Sequence, residues 1–506
     1  MNETAIAGNE RILAILHALV TRGDPSGVRE LAHSLGASRS TVSRVLLGLV
    51  EHGLASTTVQ GNYTVGPRLQ VLGAALHERH PLLRSAASVV ELLAEQSDST
   101  VLTAVYDAPR PQAIVVVSRR RPGPVKYLLE PGTIVPLHAG ATGRSILARV
   151  GLPALGDEPL DSRTVETVTD RAEIEKLLIQ DRRAGYTISV GQQIPLAAGV
   201  AAPFQCLSLT GSVSITRPRY LTSDEDLLSL GPAVLQAASD IEAVCRTQPT
   251  FRHEEPITYP DGASALERII RIITALVSVP TGINAGRILA RRIDANIATT
   301  NRLVSNLTAS GIAVVDASQL LPGPRLLHWA ACLGPHVDLP TAARHVLTDL
   351  AERTGETIGL VQFDEESMEA EMTTVIDGVR PLHYGLASGV PIPLYAGAAG
   401  KAILAFCPSD KVSGLALQPL TERTHTDLPG LTADLQTIRE RGWATGNGER
   451  IPDAFGVSAP YFVSERVAGS ITATVARIRL PDIDVKVLAD AVQDAAHRLT
   501  RLLTVG

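Results

Sequence analysis

The run Ser38-Arg39-Ser40-Thr41-Val42-Ser43-Arg44-Val45-Leu46-Leu47-Gly48-Leu49 puts Val42, Val45, Leu46 and Leu49 on one stripe of a helix, with Ser38 as a capping residue type in front of it. Arg39, Ser40, Thr41, Ser43 and Arg44 then fall near its start and largely on the outer side. Such side chains, with Ser38, donate to phosphates and base edges from the first turns of a recognition helix. Upstream, Val28 to Leu35 carries Leu31, Ala32 and Leu35 inward and stops at Gly36, a residue suited to a left-handed turn between helices. Before that, residues 9–20 repeat the helical period with Ile12, Ile15, Leu16 and Leu19. Downstream, Gly53-Leu54 ends the third helix, and Ser56 to Val65 reads as two β-prone arms around Gly61-Asn62, a wing offering Asn62 and Tyr63 as further contacts. The expectation is a winged helix-turn-helix over residues 1–66. A three-helix domain that binds no DNA would use the same buried pattern.

The chain then repeats itself. Gly66-Pro67-Arg68-Leu69 returns as Gly323-Pro324-Arg325-Leu326, and Pro136-Leu137-His138-Ala139-Gly140-Ala141-Thr142-Gly143 returns at the same offset as Pro393-Leu394-Tyr395-Ala396-Gly397-Ala398-Ala399-Gly400. Gly185-Tyr186 answers Gly442-Trp443, and Gly199-Val200 answers Gly456-Val457. One register held over so many blocks implies a tandem duplication. Between the copies, a stretch with Pro249, Pro256, Pro260 and Glu254-Glu255 has no helical or alternating period and reads as a linker. The expected division is a winged helix-turn-helix at 1–66, a second domain with its linker helix at 67–246, a linker at 247–263, a second winged helix-turn-helix at 264–323, and a final domain at 324–506. The second reading head keeps its core pattern in Leu289, Ala290, Ile293, Thr300, Leu303, Val304 and Leu307. It has Asp294 where the first has Gly36, presents Thr299, Asn301 and Arg302, and lacks a glycine in its wing, Val314 to Leu321. It should be intact as a fold and weaker, or different, as a reader.

A chain of 506 residues with 45% hydrophobic content is long enough for several packed domains. Its net charge of -6 argues against general coating of nucleic acid, yet residues 29–68 hold four Arg against two Glu and residues 285–326 hold five Arg against two Asp. Cys206, Cys245, Cys332 and Cys407 form no CxxC pair, so neither a disulfide framework nor a zinc ribbon is expected, and a reducing cytoplasm fits. The N-terminal apolar stretch Ile12 to Val20 lacks a cleavage signature, and no run reaches about 18 apolar residues, so neither a signal peptide nor a membrane span is expected.

The sequence between the reading heads mixes strand-like stretches, Thr100 to Tyr106, Ala113 to Ser118 and Ser212 to Thr216, with helical ones, Leu83 to Glu95 and Ile174 to Ala184. The fold class is therefore α+β. Leu31-Ala32, Leu35-Gly36, Ser40 to Arg44, Gly53-Leu54 and Tyr63 to Leu69, followed by Pro136 to Gly143, Arg183 to Tyr186 and Gly199 to Pro203, resemble IclR-type regulators in motif and order, once per copy. The resemblance implies two winged helix-turn-helix domains alternating with two GAF-like effector domains, a double-stranded DNA operator, a small organic effector, and control of a catabolic or transport operon, with the sign of regulation, activator or repressor, left open. It places the first effector pocket at His138, Ala139, Gly140, Ala141, Thr142, Gly199, Ser214 and Thr216, and the second at Tyr395, Ala396, Gly397, Ala398, Gly456, Thr472 and Thr474. Small residues leave room for a ligand, and hydroxyls two apart on a strand share a face. Many members of the family have a cysteine where this chain has Gly199 and Gly456, which implies ligands larger or more apolar than small keto-acids.

Catalysis is not expected. No GxxxxGK[ST] loop, GxSxG elbow, HExxH or metal-ligand spacing occurs, and carboxylate pairs such as Asp157-Glu158 and Glu365-Glu366 lie in polar stretches. Neither a cofactor nor a metal is expected. An adaptor using its helix-turn-helix domains only for association is the alternative to a regulator. One chain supplying two heads would form a covalent pseudo-dimer, and self-association of two chains would give a dimer of dimers.

Overall fold

The computed structural model describes residues 8–58, 60–120, 127, 129–247, 263–463 and 466–504. The expected linker lies almost wholly outside the described residues, as does Val59 of the first wing. The chain divides into two compact units, one running to His336 and one spanning Val337–Thr504. No described helix is long and apolar enough to cross a membrane.

The first unit begins with α1 (Gly8–Arg22), α2 (Val28–Ser34) and α3 (Arg39–Glu51), then β1 (Ala55–Thr57) and β2 (Tyr63–Val65), which pair antiparallel. Leu16, Leu31 and Leu46, one from each helix, are fully buried together with Leu49, which is what the apolar periodicity requires. Gly36 takes a left-handed φ of 57° at the turn.

Next come α4 (Pro67–Arg79), α5 (Pro81–Ser97), β3 (Thr100–Asp107), β4 (Gln112–Arg119), β5 (Ile134–Pro136), α6 (Ala141–Val150), α7 (Arg171–Ala184), β6 (Thr187–Val190), β7 (Ala197–Cys206), β8 (Leu209–Pro218), α8 (Asp224–Ser229) and α9 (Gly231–Arg246). The strands form an antiparallel sheet of order β5-β4-β3-β8-β7-β6. Leu102, Ala104, Ala113 and Val115 pack with Ile146 and Leu147 of α6 and Ile174 and Leu178 of α7, while α5 and α9 pack on each other and on the sheet. Cys206, the last residue of β7, is disulfide-bonded to Cys245 of α9. This corrects the expectation of no disulfide: the two cysteines become neighbours only because α9 lies against β7, and no local spacing records that. Cys332 and Cys407 are free.

The unit ends with α10 (Ala265–Ser278), β9 (Ile283–Asn284), α11 (Arg287–Arg292), α12 (Ile297–Ala309), β10 (Ala313–Asp316), β11 (Gln319–Pro322) and α13 (Pro324–Leu333). Asp294 holds φ 50° at the turn where the first head has Gly36, and the wing turns through Ala317 and Ser318, both left-handed, in place of a glycine. Helices α4 and α13 pack on each other. Gly73 approaches Leu333 so closely that an added Cβ would lie 3.0 Å from it. The Trp329 indole N–H donates to His17 Nδ1 at 3.1 Å, His77 Nε2 meets the Ala330 carbonyl at 2.9 Å, and His328 Nε2 meets the Gly132 carbonyl at 2.9 Å. The helix after the second head is thus bonded to α1, to α4 and to the domain that carries the first sheet.

The second unit holds α14 (Leu339–Thr354), β12 (Thr357–Asp364), β13 (Glu369–Ile376), β14 (Val390–Pro391), α15 (Ala398–Leu404), α16 (Ser409–Ser413), α17 (Leu428–Arg441), β15 (Ala444–Asn447), β16 (Ala454–Val463), β17 (Arg466–Ala476) and α18 (Val485–Leu503). Its sheet order, β14-β13-β12-β17-β16-β15, reproduces the first sheet strand for strand. Val361, Ala370 and Met372 pack against α15 and α17 through Ile403, Leu404, Leu431 and Leu435.

Candidate nucleic-acid interface and sensor pockets

Ser38 caps α3 by accepting the Thr41 N–H at 3.2 Å, and its hydroxyl also lies 2.8 Å from Thr41 Oγ1 and 3.1 Å from Ser40 Oγ. This network fixes the first turn, so Ser38 serves the geometry of the helix start. Arg39, Ser40 and Arg44 are exposed and Thr41 and Ser43 half-buried, which leaves two guanidinium groups free to reach a phosphate or a guanine edge. In the wing, Asn62 is half-buried and its backbone N–H donates to Thr58 Oγ1 at 3.2 Å. Tyr63 corrects the expectation: it is 9% exposed and its strand bridges to Ser26. A bulky ring in a three-residue strand is drawn into the core instead of toward a ligand.

The second head has the same start. Asn296 caps α12 by accepting the Thr299 N–H at 2.8 Å; Asn301 and Arg302 are exposed and Thr299 half-buried. Beside this face, and not evident from its residues alone, lies a cleft of about 850 Å³ lined by Arg268, Arg287 and Arg291 together with Asp294, Asn296 and Thr299. Helix α11 carries Arg287, Arg291 and Arg292 and no carboxylate, whereas α2 carries Arg29 with Glu30, which is ion-paired to Arg22. Local charge on this second helix could have been read from the sequence.

In the domain of the first sheet, Ala139, Gly140, Ala141 and Thr142 lead into α6, buried against β7 and β8. A Cβ added to Gly199 would lie 3.3 Å from the Ala141 methyl and 4.0 Å from Thr216 Oγ1, so those three positions lie close together. Thr142 and Ser214 hydrogen-bond each other at 2.9 Å, and buried His138 is tied through Nε2 to the Asp161 carbonyl at 2.9 Å. The buried Arg144 donates to Asp181 at 2.8 Å, to Gln192 Oε1 at 2.9 Å and to the Ile188 carbonyl.

In the second domain, Ala396, Gly397, Ala398, Gly456, Thr472 and Thr474 line one inner pocket of about 60 Å³, while Tyr395 lines an adjoining outer cleft of about 910 Å³. Lys401, at the position of Arg144, is 2% exposed and donates to Asp434 at 2.6 Å and Glu449 at 2.7 Å. The other Glu449 oxygen accepts the Gly397 N–H at 3.0 Å. Glu449 and Arg450, both lining the inner pocket, were not found from the sequence, because they sit in a polar loop with no periodicity.

Comparison with known proteins matches the first helix-turn-helix segment and both sheet-bearing segments. A profile described as the C-terminal domain of the bacterial transcriptional regulator IclR matches residues 74–243 and again 334–501, and one for the IclR helix-turn-helix domain matches residues 10–58. The HTH-type transcriptional regulator BhcR of Paracoccus denitrificans is 30% identical over 250 residues, covering 47% of this chain and 87% of that protein. KipR of Bacillus subtilis, also an HTH-type transcriptional regulator, is 26% identical over 209 residues, 40% of this chain and 83% of its own length. A crystal structure of an IclR-type regulator from Alicyclobacillus acidocaldarius matches with 25% identity and a TM-score of 0.43, covering 47% of this chain and 98% of that one.

Proposed function

Because the chain belongs to the IclR family of DNA-binding bacterial transcriptional regulators, which act by controlling transcription and not by catalysis, we propose that it is a ligand-responsive regulator with two reading heads and two sensor domains in one polypeptide. The five-part division of the chain and the alternation of winged helix-turn-helix with GAF-like domains belong to this proposal. The observation that carries it is the pairing of α4 with α13, which joins the capped, arginine-bearing starts of α3 and α12 within one compact unit. Two joined heads suit two half-sites spaced by about one helical turn, roughly 34 Å. The heads divide the work. Arg39 and Arg44 on α3 read base edges, while Arg287 and Arg291 of the second head neutralise phosphates. Ligand in either sensor changes operator affinity by stabilising one placement of the heads over another. The regulated genes are a catabolic or transport operon, and two chains associate as a dimer of dimers.

Binding to the DNA upstream of its own gene tests this. Affinity for duplex DNA should fall steeply with salt, by about a thousandfold between 50 and 200 mM if some six phosphates are neutralised. Arg44→Ala should weaken specific binding by about 10- to 100-fold, the worth of one good base contact, and Arg302→Ala by less. Arg287→Ala and Arg291→Ala should each lower the salt slope by about 1 with little change in sequence preference. Equal losses for Arg44→Ala and Arg302→Ala would overturn the ranking of the heads. Salt-independent binding would favour the adaptor.

A further inference from the structure

The two recognition helices present different chemistry at matching places, and the difference bears on the operator; this rests on the two-headed function proposed above. Helices α3 and α12 both have 13 residues and both start behind a capping side chain, Ser38 and Asn296, so Arg39 corresponds to Ile297 and each later residue to its counterpart in turn. Residues four apart share a row along a helix. On α3 the outer rows are Arg39 with Ser43 and Ser40 with Arg44; on α12 they are Ile297 with Asn301 and Ala298 with Arg302. Arg44 and Arg302 therefore stand at the same place, and both are exposed. In the neighbouring row a guanidinium and a hydroxyl give way to a branched apolar side chain and a carboxamide.

Ile297 is 44% exposed and borders the cleft lined by Arg287 and Arg291. It lies between the arginines that hold phosphates and the side chains that face bases, where its apolar surface stays wet until a partner covers it. Asn301, one turn on, is exposed, and among the described residues its side chain makes no hydrogen bond. The second wing is engaged elsewhere: Asp316 accepts a hydrogen bond from the Ser208 hydroxyl, in the turn between β7 and β8, at 2.7 Å, and its carboxylate repels phosphate. Base reading by this head thus falls to α12.

In the major groove arginine pairs with the two acceptors of guanine, asparagine with the acceptor and donor of adenine, and apolar side chains meet the thymine methyl. We propose that the operator has two unlike half-sites. Both carry a guanine, read by Arg44 in one and by Arg302 in the other. Where the first half-site has a second G·C pair under Arg39, the second has A·T, with adenine held by Asn301 and a thymine methyl against Ile297. Leu47 and Ser305 also differ, but they lie about 12 Å along the axis from the helix start that carries base contacts. A chain with two unlike heads binds its site in one orientation only, which a dimer of identical heads cannot do.

Selection of bound duplexes from a random pool by the full-length chain tests this, alongside the double variant Ile297→Arg with Asn301→Ser, which installs the residues of the first head, and Ile297→Ala. All three changes fall at exposed positions, and thermal melting confirms that each variant is folded. The native chain should enrich a bipartite site with G·C in one half where the other has A·T. The double variant should turn the A·T half to G·C, with a change in relative affinity of about tenfold or more. Replacing thymine by uracil in the A·T half removes only the methyl and should weaken native binding about three- to fourfold, with no loss in Ile297→Ala. A symmetric site for the native chain, an A·T half that the double variant leaves unchanged, or a uracil effect that is absent from the native chain or persists in Ile297→Ala would overturn the unlike half-sites and leave the two heads standing. Enrichment of a single half-site, or of none, would remove the two-headed function itself.

Discussion

Gly143→Ala should destabilise the first unit by about 3–5 kcal/mol, the range reached only when a core position cannot relax. A Cβ there would lie 1.8 Å from the Pro136 carbonyl oxygen and 2.9 Å from Leu137 Cα. Both obstacles are backbone, so no side chain can swing aside; α6 would have to lift from the loop that leads into it. The second copy has the same clamp, since a Cβ on Gly400 would lie 2.0 Å from the Pro393 oxygen. Gly400→Ala should therefore unfold the second unit early and leave the first unaffected. Differential scanning calorimetry distinguishes the two: each variant should shift one component of the melting profile to lower temperature, and a different one. A Gly143→Ala protein that melts like the native chain would show that α6 is not held by this contact.

Acidification from pH 6.5 to 4.5 should cost the first unit about 3 kcal/mol. Burial lowers the pKa of His17 to about 4 and that of His80 to about 3, with His328 and Arg110 adding to the effect at His17. A folded pKa below the unfolded value of 6.5 means that the unfolded chain binds more protons in between, so the stability is complete above pH 6.5 and is lost as the pH falls toward the folded values. At about 1.4 kcal/mol per unit of pH, each of these histidines contributes between 2 and 3 kcal/mol over that window. Asp107 opposes them. It is 1% exposed, and burial raises its pKa to about 6, against partial relief from Arg110 and Gln112; its ionisation destabilises the fold at neutral pH, and acid relieves about 2 kcal/mol of that. Urea unfolding at pH 7, 5.5 and 4.5 gives the slope. His80→Asn keeps a capping acceptor for the Leu82 N–H, which His80 Nδ1 now accepts at 3.2 Å, and should flatten the slope. Asp107→Asn should raise stability at pH 7 and steepen it. A native stability flat across this range would contradict the assignment of both histidines as buried and neutral.

Helices and their caps were legible because they are written in local periodicity. The expected helix after Ser38 is found as Arg39–Glu51, and Ile174 to Ala184 as Arg171–Ala184, capped by Asp170. Asp294 was readable as a left-handed residue because the first copy has glycine there. Strand β7 was less visible. Ala197 to Ala202 is a run of small residues with few β-branched side chains, and Pro203 falls beyond the reach of β6, where its missing N–H costs no ladder bond. In the second domain, the small-residue loop and the strand hydroxyls that line the inner pocket, Ala396 to Ala398, Thr472 and Thr474, were singled out in the sequence. Glu449 and Arg450 were not, since their meaning depends on Lys401 and Gly397 being neighbours in space. The disulfide, and the burial of Tyr63, are likewise consequences of packing that no spacing encodes.

The contact between α4 and α13 bears on how such a protein can change over generations. When two identical subunits pair, every substitution appears on both sides of the axis, and a change that helps one half-site must be tolerated at the other. Here each side of that contact has its own codons, as Gly73 against Leu333 and His77 against Ala330 illustrate. Each half of the chain can therefore change while the other stays as it was. The two heads also meet at a local concentration fixed by the chain, so their pairing holds even when only a few copies are present in a cell.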